Sequence, residues 1–196
     1  MTAAERREQL IDIARGLFAE RGFDGTAVEE IASRAEVSKP VVYEHFGGKE
    51  GVYAVVVDRE VTLLLSKMRE ALQSGTSRQL LEQAALALLG YIEDRPDGFR
   101  ILVRDSPVGP RAASFQSIIG DVASRVEGIL LEALSRRGFD PATAPMYAQM
   151  LVGMVGTTGQ WWLDSREPDK ATVATHVVNL AWNGLAGLEK DPQLEG

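Results

Sequence analysis

Residues 26–50, TAVEEIASRAEVSKPVVYEHFGGKE, read as two short helices joined by a tight turn, and the organisation of the chain follows from them. Thr26 is placed as a helix N-cap. Glu29, three residues on, would complete a capping box in which two orphan backbone N–H groups are satisfied reciprocally. Val28, Ile31 and Ala32 recur at helical spacing and give the first helix an inward face. Ala35-Glu36-Val37 forms the turn, with Val37 plugging the angle between the helices. Ser38 then caps a second helix. Pro40 falls in its first turn, where a missing N–H costs little. Two short helices across such a turn can lay the second one into a DNA major groove.

Within the second helix Val42 and Phe46, four apart, face the protein. That leaves Lys39, Pro40, Val41, Tyr43 and Glu44 outward, with His45 at the rim. A Pro-Val-Val-Tyr run left in water is expected to touch something. Lys39 is a long donor able to reach a guanine edge, while Val41 and the Pro40 ring suit thymine methyls. Thr26 and Lys49 lie at expected helix N-termini, where backbone N–H groups and the dipole favour an anion. SKPVVYEHFGGKE, preceded by TAVEEIA, strongly resembles the DNA-binding signature of the TetR family of bacterial transcription regulators. The likeness covers about the first 60 residues in detail and the remainder through length and helical pattern. It implies a recognition helix opened by Ser38, with Thr26, Tyr43, His45 and Lys49 on phosphates. Lys39, Pro40, Val41 and the Tyr43 ring would face bases. For His45 the structural alternative is a neutral cap at the helix end.

Composition sets the limits. A chain of 196 residues that is 45% hydrophobic can bury a substantial core. It has no cysteine, which excludes disulfides, thiolate metal sites and cysteine nucleophiles and fits a reducing compartment. The charged start MTAAERREQL does not read as a signal sequence, and no apolar run approaches the ~20 residues needed to span a bilayer. A cytoplasmic protein with no membrane insertion is expected. The net charge is -7, and the first 50 residues hold seven Lys or Arg against ten Asp or Glu. Weak non-specific DNA affinity follows, because that affinity is mainly phosphate neutralisation.

The rest reads as all-α. Helix 3–21 carries Leu10, Ile13, Ala14, Leu17 and Phe18 as a stripe, and a fourth helix opens at Lys49 and runs roughly to Gln73. Helices follow over 78–94, 98–104, 111–137, 141–164 and 169–188, with 105–110 (DSPVGP) as a loop. The expected architecture is an N-terminal three-helix DNA-binding domain, 1–50, and a helical bundle, 51–196, for ligand binding and dimerisation. Glycines 153, 156 and 159 strip one face of helix 141–164. Each costs about 0.5–1 kcal/mol against Ala, so close helix approach is the expected reason. The family resemblance implies a four-helix dimer interface built from the last two helices, here assigned to Gly153, Gly156, Gln160, Val173, Val177, Leu180 and Gly184. A twofold suits a palindromic double-stranded operator. Intrachain packing is the plain alternative.

An effector pocket between bundled helices is assigned to Leu88, Phe99, Leu102, Phe115, Ile119, Val122, Met150, Met154, Trp161 and Trp162. Few polar residues lie among them, so the expected effector is an apolar small molecule. DGFRILVRD, LVGMVGTTGQWWLDSREP and VVNLAWNGLAGL look like the ligand domain of FasR-type actinobacterial members of the family. That likeness implies a long-chain acyl-CoA or another lipid, with Arg100, Arg104 or Arg111 meeting its phosphates. The expected function is a ligand-responsive transcription regulator, read as a repressor, without cofactor or metal. A small-molecule carrier with little DNA binding is the first alternative. A helical enzyme is the second, and the inventory speaks against it. His45 and His176 are the only histidines. Neither has acidic neighbours at metal-ligand spacing. Gly48-Lys49 lacks the preceding Gly and following Ser/Thr of a phosphate loop.

Overall fold

The computed structural model describes residues 1–104 and 115–193. Among them the order is α1 (Ala3–Arg21), α2 (Val28–Arg34), α3 (Lys39–Phe46), α4 (Lys49–Ala71), α5 (Ser77–Asp94), α6 (Pro96–Val103), α7 (Phe115–Arg136), α8 (Ala144–Ser165) and α9 (Lys170–Ala186), with a 3-10 turn at Pro141–Thr143. The described residues form no strand, and the all-α expectation holds. The expected loop 105–110, the first four residues of helix 111–137 and Arg111 lie outside the described residues.

The chain divides into two compact units that do not follow chain order. One comprises Met1–Leu63 with Arg95–Ser117, the other Leu64–Asp94 with Ile118–Gly196.

The first unit is built on α1. Leu10, Ile11, Ala14, Leu17 and Phe18 are buried, and both α2 and α6 pack against this helix. The buried face is turned toward Ile11 and away from Ile13, which is half-buried. At roughly 1.5–3 kcal/mol for each fully buried large apolar side chain, this stripe is a substantial apolar contribution to the unit. Phe18, Phe23 and Tyr53 form an aromatic cluster, with Tyr53 edge-on to both rings at 4.9 and 5.1 Å. Phe99 and Leu102 of α6 are buried in the same unit.

Two local readings need correction. The capping box lies at Thr2, not Thr26: the Thr2 N–H donates to Glu5 at 2.6 Å, and its hydroxyl accepts from the Glu5 N–H at 3.2 Å. Helix α2 begins one residue later than expected, with Ala27 at the N-cap and no side-chain cap. The Thr26 hydroxyl is drawn the other way, donating to the Gly22 carbonyl at 2.8 Å, which ties the α1–α2 loop to the end of α1.

The α2–α3 turn holds a non-glycine residue, Glu36, at φ 55. Left-handed backbone costs a residue with a Cβ about 1–2 kcal/mol. Glu36→Gly is therefore expected to raise stability by about 1 kcal/mol, after allowing for the greater freedom of the unfolded glycine. Thermal melting checks it, and an unchanged or lower midpoint would show the turn to be unstrained.

In the second unit α8 and α9 both pack on α5. A Cβ at Gly159 would sit 2.9 Å from Ile92 and 3.1 Å from Leu88, so this glycine serves close approach of α8 to α5 within one chain. Leu130, Leu134, Phe139, Ala144 and Ala148 form a further cluster where α7 turns into α8.

Candidate nucleic-acid interface

Helix α3 is held by one deeply buried residue, Val42, while Phe46 is half-buried under the Arg7 guanidinium, 4.6 Å from its ring centroid. Its C-terminus closes on Gly47 at φ 74, whose N–H donates to the Tyr43 carbonyl at 2.7 Å. Ser38 occupies the N-cap position in extended conformation, yet its hydroxyl makes no capping bond. The opposite face is open. Ser38, Lys39, Pro40 and Glu44 are exposed, Tyr43 is 47% exposed, and Val41 and His45 are half-buried. The structure thus exposes four of the eight expected DNA-contacting residues, Ser38, Lys39, Pro40 and Tyr43, and leaves Val41, His45 and Lys49 half-buried beside them.

Thr26 is the exception. It is 2% exposed, and its hydroxyl proton is taken by main-chain carbonyls of α1 and the following loop. It is corrected from a phosphate ligand to an internal brace. Lys49 is half-buried, donating to the Phe23 carbonyl at 3.0 Å with its ammonium 4.3 Å from the Phe23 ring. Its cation roofs the aromatic cluster as well as standing at the start of α4.

Lys39 is exposed and forms an ion pair with Glu29 of α2, its ammonium 5.7 Å from the Tyr43 ring centroid. The hydrogen bond from Lys39 holds the Glu29 carboxyl below its ordinary value, and the same bond raises the Lys39 ammonium above its own. Other cations of this unit are engaged as well. Arg21 and Arg34 share Glu30, Arg59 is bidentate on Glu8, and Arg6 donates to Gln9 and to the Ala35 carbonyl. Charge alone did not reveal these pairings, because the partners are 10, 9 and 51 residues apart for Lys39, Arg21 and Arg59.

The expected dimer face is partly redrawn. On α8 the exposed residues Met146, Met150 (58%), Thr157 and Trp161 (55%) lie on one face with the half-buried Gly153. Nothing lies within 4 Å of a Cβ at Gly153 or at Gly184. On α9, His176, Asn179, Leu180, Asn183 and Gly184 are exposed, Leu180 at 67%. Gly156, Val173 and Val177 are buried within the single chain, and Gln160 is half-buried. Gly156, Val173 and Val177 are removed from the outer face, because the buried side of each helix extends to them.

The expected effector residues separate in a similar way. Met150 and Trp161 are corrected from pocket lining to surface, since they lie on the outer side of α8. Leu88 and Trp162 are core of the second unit, and the Trp162 indole donates to the Pro168 carbonyl at 2.8 Å. Phe99 and Leu102 are core of the first, with Phe115 edge-on to Phe99 at 5.6 Å. Ile119 and Met154 are half-buried. Val122 lines a cavity of about 340 Å³ in the second unit with Leu65, Met68, Arg69, Leu72, Asp121 and Arg125. Arg104 donates to the Phe18 carbonyl and Arg100 stands 3.8 Å from Asp97. Among the described residues no group of three or more His, Asp or Glu side chains could hold a metal ion, and no helix is long and apolar enough to cross a membrane.

A helix α2 that buries Val28, Ile31 and Ala32, a turn and an outward α3 define a helix-turn-helix DNA-binding regulator. Residues 10–56 match the profile of bacterial regulatory proteins of the tetR family, and residues 77–184 match a tetracyclin repressor-like C-terminal domain. The HTH-type transcriptional activator FasR of Mycolicibacterium smegmatis is 34% identical over 186 residues, covering 93% of this chain and 84% of that protein. The HTH-type transcriptional repressor KstR2 of Rhodococcus jostii is 41% identical over 87 residues, 44% of this chain and 42% of its own. The crystal structure of a TetR-like transcriptional regulator from Rhodococcus sp. RHA1 matches with TM-score 0.73 at 28% identity, covering 96% of this chain and all 100% of that one. The chain belongs to the TetR family. It is a transcription regulator and not an enzyme.

Proposed function

We propose that this cytoplasmic regulator works as a homodimer, reads a palindromic double-stranded operator with two copies of α3, and is modulated by an apolar small molecule. The observation that carries the reading is the division of α3 into a buried Val42 and an outward row of Ser38, Lys39, Pro40 and Tyr43. Lys39, Pro40, Val41 and the Tyr43 ring face base edges; Ser38, His45 and Lys49 stand near phosphates. Residues 1–50 carry DNA reading, and 51–196 carry effector binding and dimerisation. The apolar faces of α8 and α9, centred on Met150, Trp161 and Leu180, form the dimer contact.

The effector belongs to the second unit. The cavity beside Val122 combines the apolar side chains of Leu65, Met68 and Leu72 with Arg69 and Arg125, a lining that suits an apolar tail bearing an anionic group. A long-chain acyl-CoA or related lipid is the class we assign, in keeping with the relation to FasR. The direction of regulation is set by where the operator lies relative to the promoter, and the two named relatives differ in it.

Anisotropy titration of fragments from the DNA upstream of the gene tests this. Wild type is expected to select one fragment. Lys39→Ala should weaken binding to it roughly tenfold to a hundredfold through a single base position. Palmitoyl-CoA should shift the wild-type affinity. Equal binding to all fragments by both proteins would remove α3 from the groove.

A further inference from the structure

We infer that Glu29 is an autoinhibitory counter-charge on the DNA face: its carboxylate occupies the Lys39 ammonium in the free protein and so lowers DNA affinity through that lysine. The inference rests on the reading that α3 enters the groove.

Three observations converge on it. Because α2 starts at Val28 behind an Ala27 cap, Glu29 is released from the capping role that its spacing from Thr26 suggested. It reaches across from α2 to α3 and pairs with Lys39. The partner is a cation on the outward row, one already placed over the Tyr43 ring. The pair is open to water on both sides, with more than 40% of each side chain exposed. Such a pair is too weak to serve as a structural clamp. It is a competitor.

The consequence follows from what Lys39 would gain on each kind of DNA. On any sequence, a lysine placed on a phosphate releases about one condensed counterion, adding ~0.9 to the slope of log affinity against log salt. To make that contact Lys39 must leave Glu29, and the abandoned carboxylate then stands near the phosphates with its charge uncompensated. Non-specific binding therefore gains little from Lys39. On the operator the exchange is favourable, since a guanine edge supplies two directed acceptors that a phosphate does not. Glu29 must be displaced on either kind of DNA, so it subtracts from both, and only a sequence that repays the exchange draws Lys39 away from it. The placement also makes sense of an acidic reading domain. The acid nearest the reading lysine sets a threshold for its use.

The test measures operator and scrambled fragments of equal length between 50 and 200 mM salt for wild type, Glu29→Gln, Lys39→Ala and the double variant. Glu29→Gln is expected to bind scrambled DNA about three- to tenfold more tightly, with a salt slope steeper by up to ~0.9. Operator binding should rise by at least the same factor, because the same pair is broken there. In the Lys39→Ala background the same change should have no such effect, which separates it from a general loss of negative charge. An unchanged scrambled affinity and slope would overturn the inference, as would an equal gain with or without Lys39. Weaker operator binding with unaltered scrambled binding would also overturn it, making Glu29 a base reader. If Lys39→Ala itself alters nothing, the groove reading fails first and independently.

Discussion

Leu180→Glu is expected to convert the regulator from dimer to monomer and to weaken operator binding on the order of a hundredfold, the loss that follows when two linked half-site contacts become one. Leu180 is the most exposed large apolar side chain of α9 at 67%, and it lies beside the open positions His176 and Gly184. On the neighbouring α8 the exposed Met146, Met150 and Trp161 leave an apolar strip that a lone soluble chain seldom carries. A twofold contact is self-complementary, so one substitution enters it twice. Each carboxylate is then carried into a desolvated apolar patch without a partner, which costs several kcal/mol. The chain's own fold loses nothing, because the position is solvated in one copy. Light scattering should report the monomer mass while helicity and melting of the isolated chain stay near wild type. Dimers with unaltered operator affinity would relocate the interface. Gly156 is unsuitable for the same experiment: it is buried within the chain, and a charge there would unfold α8 before it separated a dimer.

The contrast between Gly156 and Leu180 shows what the sequence made legible. Helical periodicity assigns residues to a common face, so the stripe of α1, but for Ile13, and the all-α architecture could be read directly. It does not say whether a face is covered by the same chain or by another. Met150 and Trp161 therefore passed for pocket lining, and Val173 and Val177 for dimer contacts. The difference lies in the neighbour: α8 and α9 both lean on α5, a helix far away in sequence. Gly159 illustrates the same point, since its missing Cβ makes room for Ile92 and Leu88.

At the DNA face the order of elements and the outward row of α3 were legible, because turn, cap position and apolar spacing agreed. Thr26 was not. Its preference for an N-cap is a local tendency, and here it was overridden by the Gly22 carbonyl four residues back. That one-residue displacement of the helix start changed the role of Glu29 from cap to ion-pair partner. Spacing arguments are most fragile at such ends.

A second large effect is expected from Arg95→Ala, a residue with no assigned place in DNA reading. Glu60 of α4 is 2% exposed, and Arg95, immediately before α6, holds it with both arms: its Nε donates to Glu60 Oε2 at 3.0 Å and its terminal nitrogen to Oε1. Arg15 of α1 approaches the same carboxylate at 4.0 Å. The three charges join α1, α4 and the start of α6 in the first unit. A bidentate guanidinium satisfies a carboxylate in geometry as well as charge. Removing it takes two hydrogen bonds and the nearest cation from a buried anion, a loss that typically costs about 3–5 kcal/mol. Arg95 is 32% exposed, so solvent screens the pair and the low end, about 3 kcal/mol, is the expected loss. For a chain of this size that lowers the melting midpoint by roughly 6–12 °C. Replacing both partners, Glu60→Leu with Arg95→Met, should recover most of the loss, since a well-packed apolar pair carries no stranded charge. A single variant melting within about 2 °C of wild type would mean that water already serves the carboxylate. A double variant as unstable as Arg95→Ala would point to shape, not charge, as what this junction requires.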